Sequence, residues 1–507
     1  MTLQQFLQLR NGTDVRGVAV EGVENEPVTL TPLIAEHIAR AFCLWLSKKT
    51  KAKTLTVAVG YDSRVSAKSL CDATAKGITE AGHNAVLTGL STTPSMFMLL
   101  KDEKRNRTLP CHGSIMITAS HLPFNRNGLK FFSPEGGLEG ADVKEILQCA
   151  YENQDAIPAE NIGKRIPAPY LDDYAADLVT KVRNATGEEK PLLGKRILVD
   201  AGNGAGGFFV DKVLIPLGAD TTGSQFLNPD GTFPNHIPNP ENKEAMQSVC
   251  RAVKQAHADF GIIFDTDVDR AGAVDELGNE INRNRLIALI SAILLQEKEG
   301  TIVTDSVTSD GLAAFITDHG GKHHRFKRGY KNVINEAIRL NAKGIYTPLA
   351  IETSGHAALI ENYFLDDGAY LITRLLIALA NTAKEGKKLT DLIADLQMPQ
   401  EEKEIRLRFK EDCNFQAEGA TLLQDLQTYF SAQEGATLAK DNFEGCRICF
   451  DKNHGDGWAL VRMSLHDPIL PINVESNQQG GCAQIVNALH RFMQKYDDCL
   501  YIAPLQL

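Results

Sequence analysis

Phe260-Gly261-Ile262-Ile263-Phe264-Asp265-Thr266-Asp267-Val268-Asp269-Arg270 sets an apolar run directly before three alternating aspartates. A run of that length reads as a strand buried on both faces, so the acids fall in the loop at its carboxyl end. The same pattern recurs outward along the chain. Residues 54–60 lead into Tyr61-Asp62-Ser63-Arg64 and a helical stretch at 66–81, and 114–118 form a second strand. Residues 195–200 lead into Ala201-Gly202-Asn203-Gly204-Ala205-Gly206-Gly207, and 301–304 lead to Asp305. Strands alternating with amphipathic helices predict mainly parallel sheets with helices on both faces. Functional loops then belong at the carboxyl ends of the strands.

The spacing predicts three similar α/β domains with mixed, mainly parallel sheets, over 1–160, 161–298 and 299–398. After about residue 400 the pattern becomes charged alternation at 401–409, two antiparallel-looking strands near 443–450 and 458–463, and a helix at 482–494. This predicts a C-terminal α+β domain over 399–507.

The composition of the 507 residues is globular, with 43% hydrophobic and 23% charged residues. Lys and Arg number 53 against 64 Asp and Glu, a net charge of −11 that excludes a broad nucleic-acid or acidic-membrane surface. Ten scattered cysteines fit reduced, mostly buried thiols rather than a secreted framework. The one CxxC, Cys446 and Cys449, has no second Cys or His pair nearby to complete a zinc site. The first residues lack the basic-then-apolar build of a signal peptide. The longest apolar run, 286–295, is half the roughly 20 residues a membrane helix needs and reads as a buried helix. The expectation is a soluble cytoplasmic protein.

The chemistry concentrates in two loops. In an extended segment Asp265, Asp267 and Asp269 share one side, and three converging carboxylates repel unless a cation stands between them. Oxygen-only ligands suit a hard ion such as Mg²⁺. An aspartyl-phosphate phosphatase also carries a DxD segment, but such a motif usually opens its domain. The second loop is Thr118-Ala119-Ser120-His121-Leu122-Pro123, continuing to Asn127-Gly128-Leu129-Lys130. Adjacent Ser and His seldom point at each other, and no G-x-S-x-G elbow is present, so a hydrolase reading is weak. Gly202–Gly207 departs from the dinucleotide pattern G-x-G-x-x-G and is assigned to tight packing at a strand–helix turn.

Taken together, TASHLPFNRNGLK, DTDVDR and Glu352-Thr353-Ser354-Gly355-His356 resemble the α-D-phosphohexomutases, the phosphoglucomutase/phosphomannomutase superfamily. Gly12-Thr13-Asp14-Val15-Arg16-Gly17, Val59-Gly60-Tyr61-Asp62-Ser63-Arg64 and the segment from Asp230 to Pro240 extend the resemblance along most of the chain. It implies four domains around a central cleft, Mg²⁺, a hexose phosphate substrate and a hexose bisphosphate activator, in a monomer or homodimer. It further implies that Ser120 carries a phosphoryl group and that Asp265, Asp267 and Asp269 bind Mg²⁺ together with that phosphate. Arg16, Lys130 and Arg270 would lie near the phosphoserine, with Lys130 as general acid or base and His121 as its loop neighbour. Glu352, Ser354 and His356 would recognise sugar hydroxyls, and Lys331 in Arg328-Gly329-Tyr330-Lys331 would contact substrate. Charge arithmetic permits this assembly. A phosphoserine of about −1.5 to −2 with three aspartates totals roughly −5, which Mg²⁺ and three cationic side chains offset.

The departure lies near the C-terminus. The resemblance implies a phosphate loop R-x-S-G-T-E-P-x-x-R, whereas the chain reads Arg462-Met463-Ser464-Leu465-His466-Asp467-Pro468-Ile469-Leu470-Pro471. Arg462 and Ser464, aided by His466, are the residues left to hold a distal phosphate. That loss keeps open a non-catalytic or specificity-shifted paralogue binding a phosphosugar or a partner protein.

Overall fold

Helix boundaries follow local chemistry. The helix Pro32–Thr50 opens with Thr31, whose side chain accepts from the Ile34 amide, and with Pro at its first position; Lys51 in the left-handed region closes it. The helix Arg283–Glu297 contains the long apolar run, and every residue from 286 to 295 is buried. No helix among the described residues is long and apolar enough to cross a membrane. The computed structural model describes residues 2–440, 442–464 and 467–505.

The chain divides into two compact units. The first comprises residues 1–282, 354–357 and 365–389. Its larger sheet has eight strands, running in space Arg10–Asn11, Asp14–Val18, Arg126–Ser133, Gly113–Ile117, Thr56–Tyr61, Asn84–Leu90 and Arg165–Pro167, with Gly136–Gly137 beside Arg126–Ser133. Thr56–Tyr61 is parallel to both Asn84–Leu90 and Gly113–Ile117, whereas Arg126–Ser133 runs antiparallel to its neighbours. Its core is an apolar cluster including Phe42, Val57, Val59, Ile115, Ile117 and Phe131. The second sheet pairs Phe260–Phe264 in parallel with Ile197–Asp200 and antiparallel with Ala271–Asp275. The helix Gly368–Lys384 belongs to this unit and packs on Leu171–Thr186, where Tyr174 Oη donates to Asp367 at 2.7 Å.

The second unit comprises residues 283–353, 358–364 and 390–507. It holds a four-stranded sheet, with Thr301–Thr304 parallel to Lys322–Arg325 and Leu349–Ile351. Its six-stranded C-terminal sheet is antiparallel in every pairing. Glu401–Phe409 alternates exposed and buried residues there, as a half-covered strand must. The architecture is thus three α/β domains and a fourth, antiparallel α+β domain.

Uniformly reduced thiols were the wrong expectation at one pair. Cys413 and Cys499 form a disulfide across 86 residues of sequence. Spacing could not reveal it, because pairing of Phe409 with Leu500 and the bond from Lys410 N to Cys499 O (2.8 Å) bring the two together.

The C-terminal sheet also buries a titrating group. Glu475 is 7% exposed and accepts from Trp458 Nε1 at 2.9 Å, while the Arg447 guanidinium covers the Trp458 ring at 3.6 Å. Burial pushes the Glu475 carboxyl up to about 7, against the pull of Arg447. A carboxyl raised in the folded state contributes most below its unfolded pKa and loses that contribution as pH rises from about 4.5 to about 7. The loss is on the order of 3 kcal/mol. Urea melts followed through tryptophan fluorescence should therefore show wild type weakening across that interval relative to Glu475→Gln. Parallel pH dependences in the two proteins would remove Glu475 as the cause.

Candidate functional site

In the first unit the two conspicuous loops meet. Ser120 follows the strand Gly113–Ile117 and takes φ +52°, in the left-handed region that a β-carbon disfavours. Thr118 Oγ1 accepts from the Ser120 amide at 2.9 Å, and Ser120 Oγ donates to Asp265 Oδ2 at 2.9 Å. The aspartate loop is not an extended segment. Val268 turns it at φ +66°, so a tight bend between Phe260–Phe264 and Ala271–Asp275 gathers Asp265, Asp267 and Asp269. Their carboxylate oxygens lie within 4.8 Å of one another. The glycine-rich turn packs against this loop: a β-carbon on Gly204 would meet the Thr266 carbonyl oxygen at 2.7 Å, and Ala205 N donates to it at 2.8 Å.

The three carboxylates are buried and unevenly satisfied. Lys130, returning on the strand beside Ser120's, reaches Asp267 at 2.9 Å and Asp269 at 2.5 Å. Thr93 Oγ1 donates to Asp267 Oδ2 at 2.5 Å. Among the described residues, no hydrogen-bond donor reaches the buried Asp267 Oδ1 or Asp269 Oδ1. Burial, then the charges of Asp269 and Asp267, raise the Asp265 carboxyl well above the usual carboxylate range. Burial acts the same way on Asp269, but Lys130, His356 and Arg270 outweigh it and hold that carboxyl low. Two donorless buried oxygens and a third carboxyl driven toward protonation fit a site built for a hard cation.

The flanking residues assemble around this centre. Arg16 pairs with Asp14 at 3.0 Å and donates to the Ala119 carbonyl at 3.4 Å. Arg270 donates to His121 Nδ1 at 2.8 Å, and that nitrogen lies 3.3 Å from Ser120 Oγ. Burial, with the positive charges of Arg270 and Arg16, pushes the His121 imidazole down to about 2, so it is neutral at ordinary pH. His356 bridges to Arg270 through the backbone and hydrogen-bonds Asp366 through Nδ1; Asp269, His356 and Asp366 form a second close group. Ser354, also in this unit, is buried.

The other expected residues lie in the second unit. Glu352 Oε1 accepts from the Gly329 amide at 2.6 Å, which joins its loop to Arg328-Gly329-Tyr330-Lys331. Lys331 sits in the first turn of the helix Tyr330–Ala342. Thr353 Oγ1 donates to Asp305 at 2.8 Å, and Arg328 Nε stands 3.5 Å from the same carboxylate. Arg462 is mostly buried, 3.9 Å from Glu444. Glu444 in turn accepts from Ser306 Oγ at 2.6 Å and Arg328 N at 3.0 Å. Ser464 Oγ accepts from the Asp467 amide at 3.3 Å. His466, with Leu465, lies outside the described residues.

Thr93, Asp366 and Glu444 escaped the sequence reading. The only signal for Asp366 was the acid pair Asp366-Asp367 before a helix, and Asp367 accounts for it as the N-cap, accepting from Tyr370 N at 2.8 Å.

Comparison with known proteins returns three successive matches to the phosphoglucomutase/phosphomannomutase family. They are alpha/beta/alpha domain I over residues 8–157, domain II over 168–278 and domain III over 282–398. The chain is 30% identical to a phosphoglucomutase of Neisseria gonorrhoeae over 481 residues, 94% of each protein. It is 27% identical to a phosphomannomutase/phosphoglucomutase of Pseudomonas syringae pv. tomato over 497 residues, 93% of this chain and 98% of that one. Its fold is similar to the crystal structure of a phosphoglucomutase/phosphomannomutase family protein from Burkholderia thailandensis, with a TM-score of 0.75, 26% identity and 98% of both chains covered.

Proposed function

The chain belongs to the phosphoglucomutase/phosphomannomutase family, and from that membership we propose that it moves a phosphoryl group between C1 and C6 of a hexose phosphate, glucose or mannose. The observation that carries the reading is Ser120 Oγ at 2.9 Å from Asp265, inside a buried trio of carboxylates that Lys130 flanks.

In the proposed cycle the phosphorylated Ser120 gives its phosphoryl group to the free hydroxyl of a sugar monophosphate. The Oγ–P bond breaks, an O–P bond to the sugar forms, and the hydroxyl proton passes to solvent, balancing the one proton that Ser120 Oγ gains. The bisphosphorylated sugar then reorients and returns its other phosphoryl group to Ser120. A hexose bisphosphate would prime the enzyme. Asp265, Asp267 and Asp269 would hold Mg²⁺, which supplies charge stabilisation to a transferring phosphoryl group when bound. Lys130, charge-paired with Asp267 and Asp269, has ammonium protons to offer to Ser120 Oγ as the sugar is phosphorylated. Arg16 and Arg270 flank the serine with fixed positive charge, a preorganised field for a dianionic group. His121, neutral and accepting from Arg270, orients that guanidinium. His356, oriented by Asp366, with Ser354, Glu352 and Lys331, would recognise the sugar. We assign this activity to the cytoplasm.

Arg462 and Ser464 would still hold the distal phosphate, with help from His466. Arg462 offers charge-assisted, bidentate bonds that a serine cannot. Pro471 replaces a second arginine and sits in the strand Ile469–Ser476 opposite Arg406. Losing one such bond, at about 1.5–3 kcal/mol, weakens phosphate binding roughly ten- to hundredfold. This favours a second reading, a paralogue that binds phosphosugar without turning it over. Assays of glucose 1-phosphate and mannose 1-phosphate with the matching bisphosphates, read as 6-phosphate formation, decide between them. Turnover is expected with at least one sugar, and Arg462→Ala should raise its KM at least about tenfold. Binding without turnover would establish the paralogue, and an unchanged KM would move the phosphate away from Arg462.

A further inference from the structure

Two of the matching motifs, Val59-Gly60-Tyr61-Asp62-Ser63-Arg64 and the segment opened by Asp230-Gly231-Thr232-Phe233, have no part in the chemistry above, yet they meet behind Ser120. Arg64 follows the strand Thr56–Tyr61 and is 2% exposed, its side chain fully buried. One end of its guanidinium donates to the carbonyls of Pro123 (2.8 Å) and Arg126 (2.7 Å). The other donates to the carbonyls of Ser120 and Leu122, both at 2.5 Å. One side chain therefore serves four carbonyls of the loop that presents the serine.

The rest of the surroundings fix that guanidinium. The Asp62 carboxylate lies 3.5 Å from Arg64 Nε and accepts from its amide at 3.0 Å. The Phe233 ring stands 5.2 Å from the guanidinium carbon. Its chain is brought there by Gly231, where a β-carbon would lie 2.3 Å from Val65 N and 2.5 Å from the Ser63 carbonyl oxygen. Only a glycine permits that approach.

We propose that Arg64 is the positioning residue of the phosphoserine loop, holding Ser120 in its left-handed conformation so that Oγ points into the aspartate cluster. The inference rests on Ser120 being the phosphoryl carrier. The peptide before Ser120 is anchored by its amide on Thr118 and the peptide after it by its carbonyl on Arg64. With both fixed, a φ of +52° persists in a residue that would otherwise relax. A planar five-donor fork can span four carbonyls at once, and a lysine ammonium with three clustered protons cannot. Relaxation of the loop moves Oγ and the phosphoryl group it carries, which lowers the chemical step and leaves the sugar contacts in place.

The test uses the full-length protein with Arg64→Met, Arg64→Lys and Phe233→Leu. For each, kcat and KM are measured with glucose 1,6-bisphosphate present. Ser120 phosphorylation is followed by intact mass, and hydrogen exchange is read on peptides covering 118–127. Arg64→Met is expected to cut kcat at least about 100-fold with KM within threefold, and to accelerate exchange in that loop alone. Arg64→Lys and Phe233→Leu should show the same pattern at about tenfold. Should Arg64→Met fail to fold, the two milder variants decide. Wild-type kcat and loop protection in them would overturn the proposal, as would a kcat loss with unchanged loop exchange. Phosphorylation separates the two premises. Ser120→Ala that still takes up a phosphoryl group would defeat the carrier assignment, whereas Arg64 variants phosphorylated at the wild-type rate would defeat only the positioning role.

Discussion

Ser120→Ala is expected to lose at least about 10⁴-fold in turnover while its melting curve stays close to wild type, because deleting a covalent nucleophile removes the route itself. The substitution takes away one hydroxyl, which donates to Asp265. Asp265 still accepts from the Arg270 amide at 3.2 Å and keeps the Arg270 guanidinium at 3.8 Å, so losing this donor does not strand the carboxyl. Stability and activity therefore separate at this position. Purified wild type should carry a phosphoryl group on the peptide containing Ser120, in part or all of the molecules, and the variant should not. A folded Ser120→Ala protein with full activity would eliminate the phosphoserine cycle.

How far the sequence foretold this site depends on what each residue does locally. The strand before the aspartates was legible because an apolar run buried on both faces has no other use for so many branched and aromatic side chains. The convergence of the three carboxylates was expected from extended alternation, yet the bend at Val268 achieves it. A β-branched residue in the left-handed region carries no sequence signal, since its composition argues against that conformation. Asp366 was hidden beside the N-cap Asp367, and Thr93 beside the N-cap Thr92, because capping accounts for a polar pair before a helix. In the sequence Arg64 is legible only as part of a motif. Its role needs the loop carbonyls of 120–126, and nothing in a linear chain announces which carbonyls lack partners. Glu444 and the Cys413–Cys499 pair depend in the same way on contacts between distant segments.

Metal removal and Asp267→Asn should move stability in different directions. Chelation of wild type is expected to stop turnover, with Mg²⁺ restoring it. Bound metal also stabilises the folded chain by mass action, about 2.7 kcal/mol at a concentration 100-fold above Kd, so Mg²⁺ should raise the wild-type melting temperature. In Asp267→Asn one of three negative charges is gone. Loss of a residue that merely orients a ligand typically costs 10–100-fold in affinity, so loss of a charged ligand should weaken Mg²⁺ at least about 100-fold. The variant's melting temperature should consequently not respond to Mg²⁺ at concentrations that saturate wild type. In chelator the comparison changes. Asparagine offers a carbonyl that can still accept from Thr93 and Lys130, which meet the carboxylate at 2.5 Å and 2.9 Å. It also removes one like charge from a buried trio that lacks a cation. The apo variant should thus melt no lower than apo wild type, although it is far less active. Calorimetric titration with Mg²⁺ and paired melts in Mg²⁺ and chelator measure both effects. Equal Mg²⁺ affinity in the two proteins would place the metal elsewhere. An apo variant markedly less stable than apo wild type would show that Asp267 holds the loop through Lys130 rather than serving mainly as a ligand.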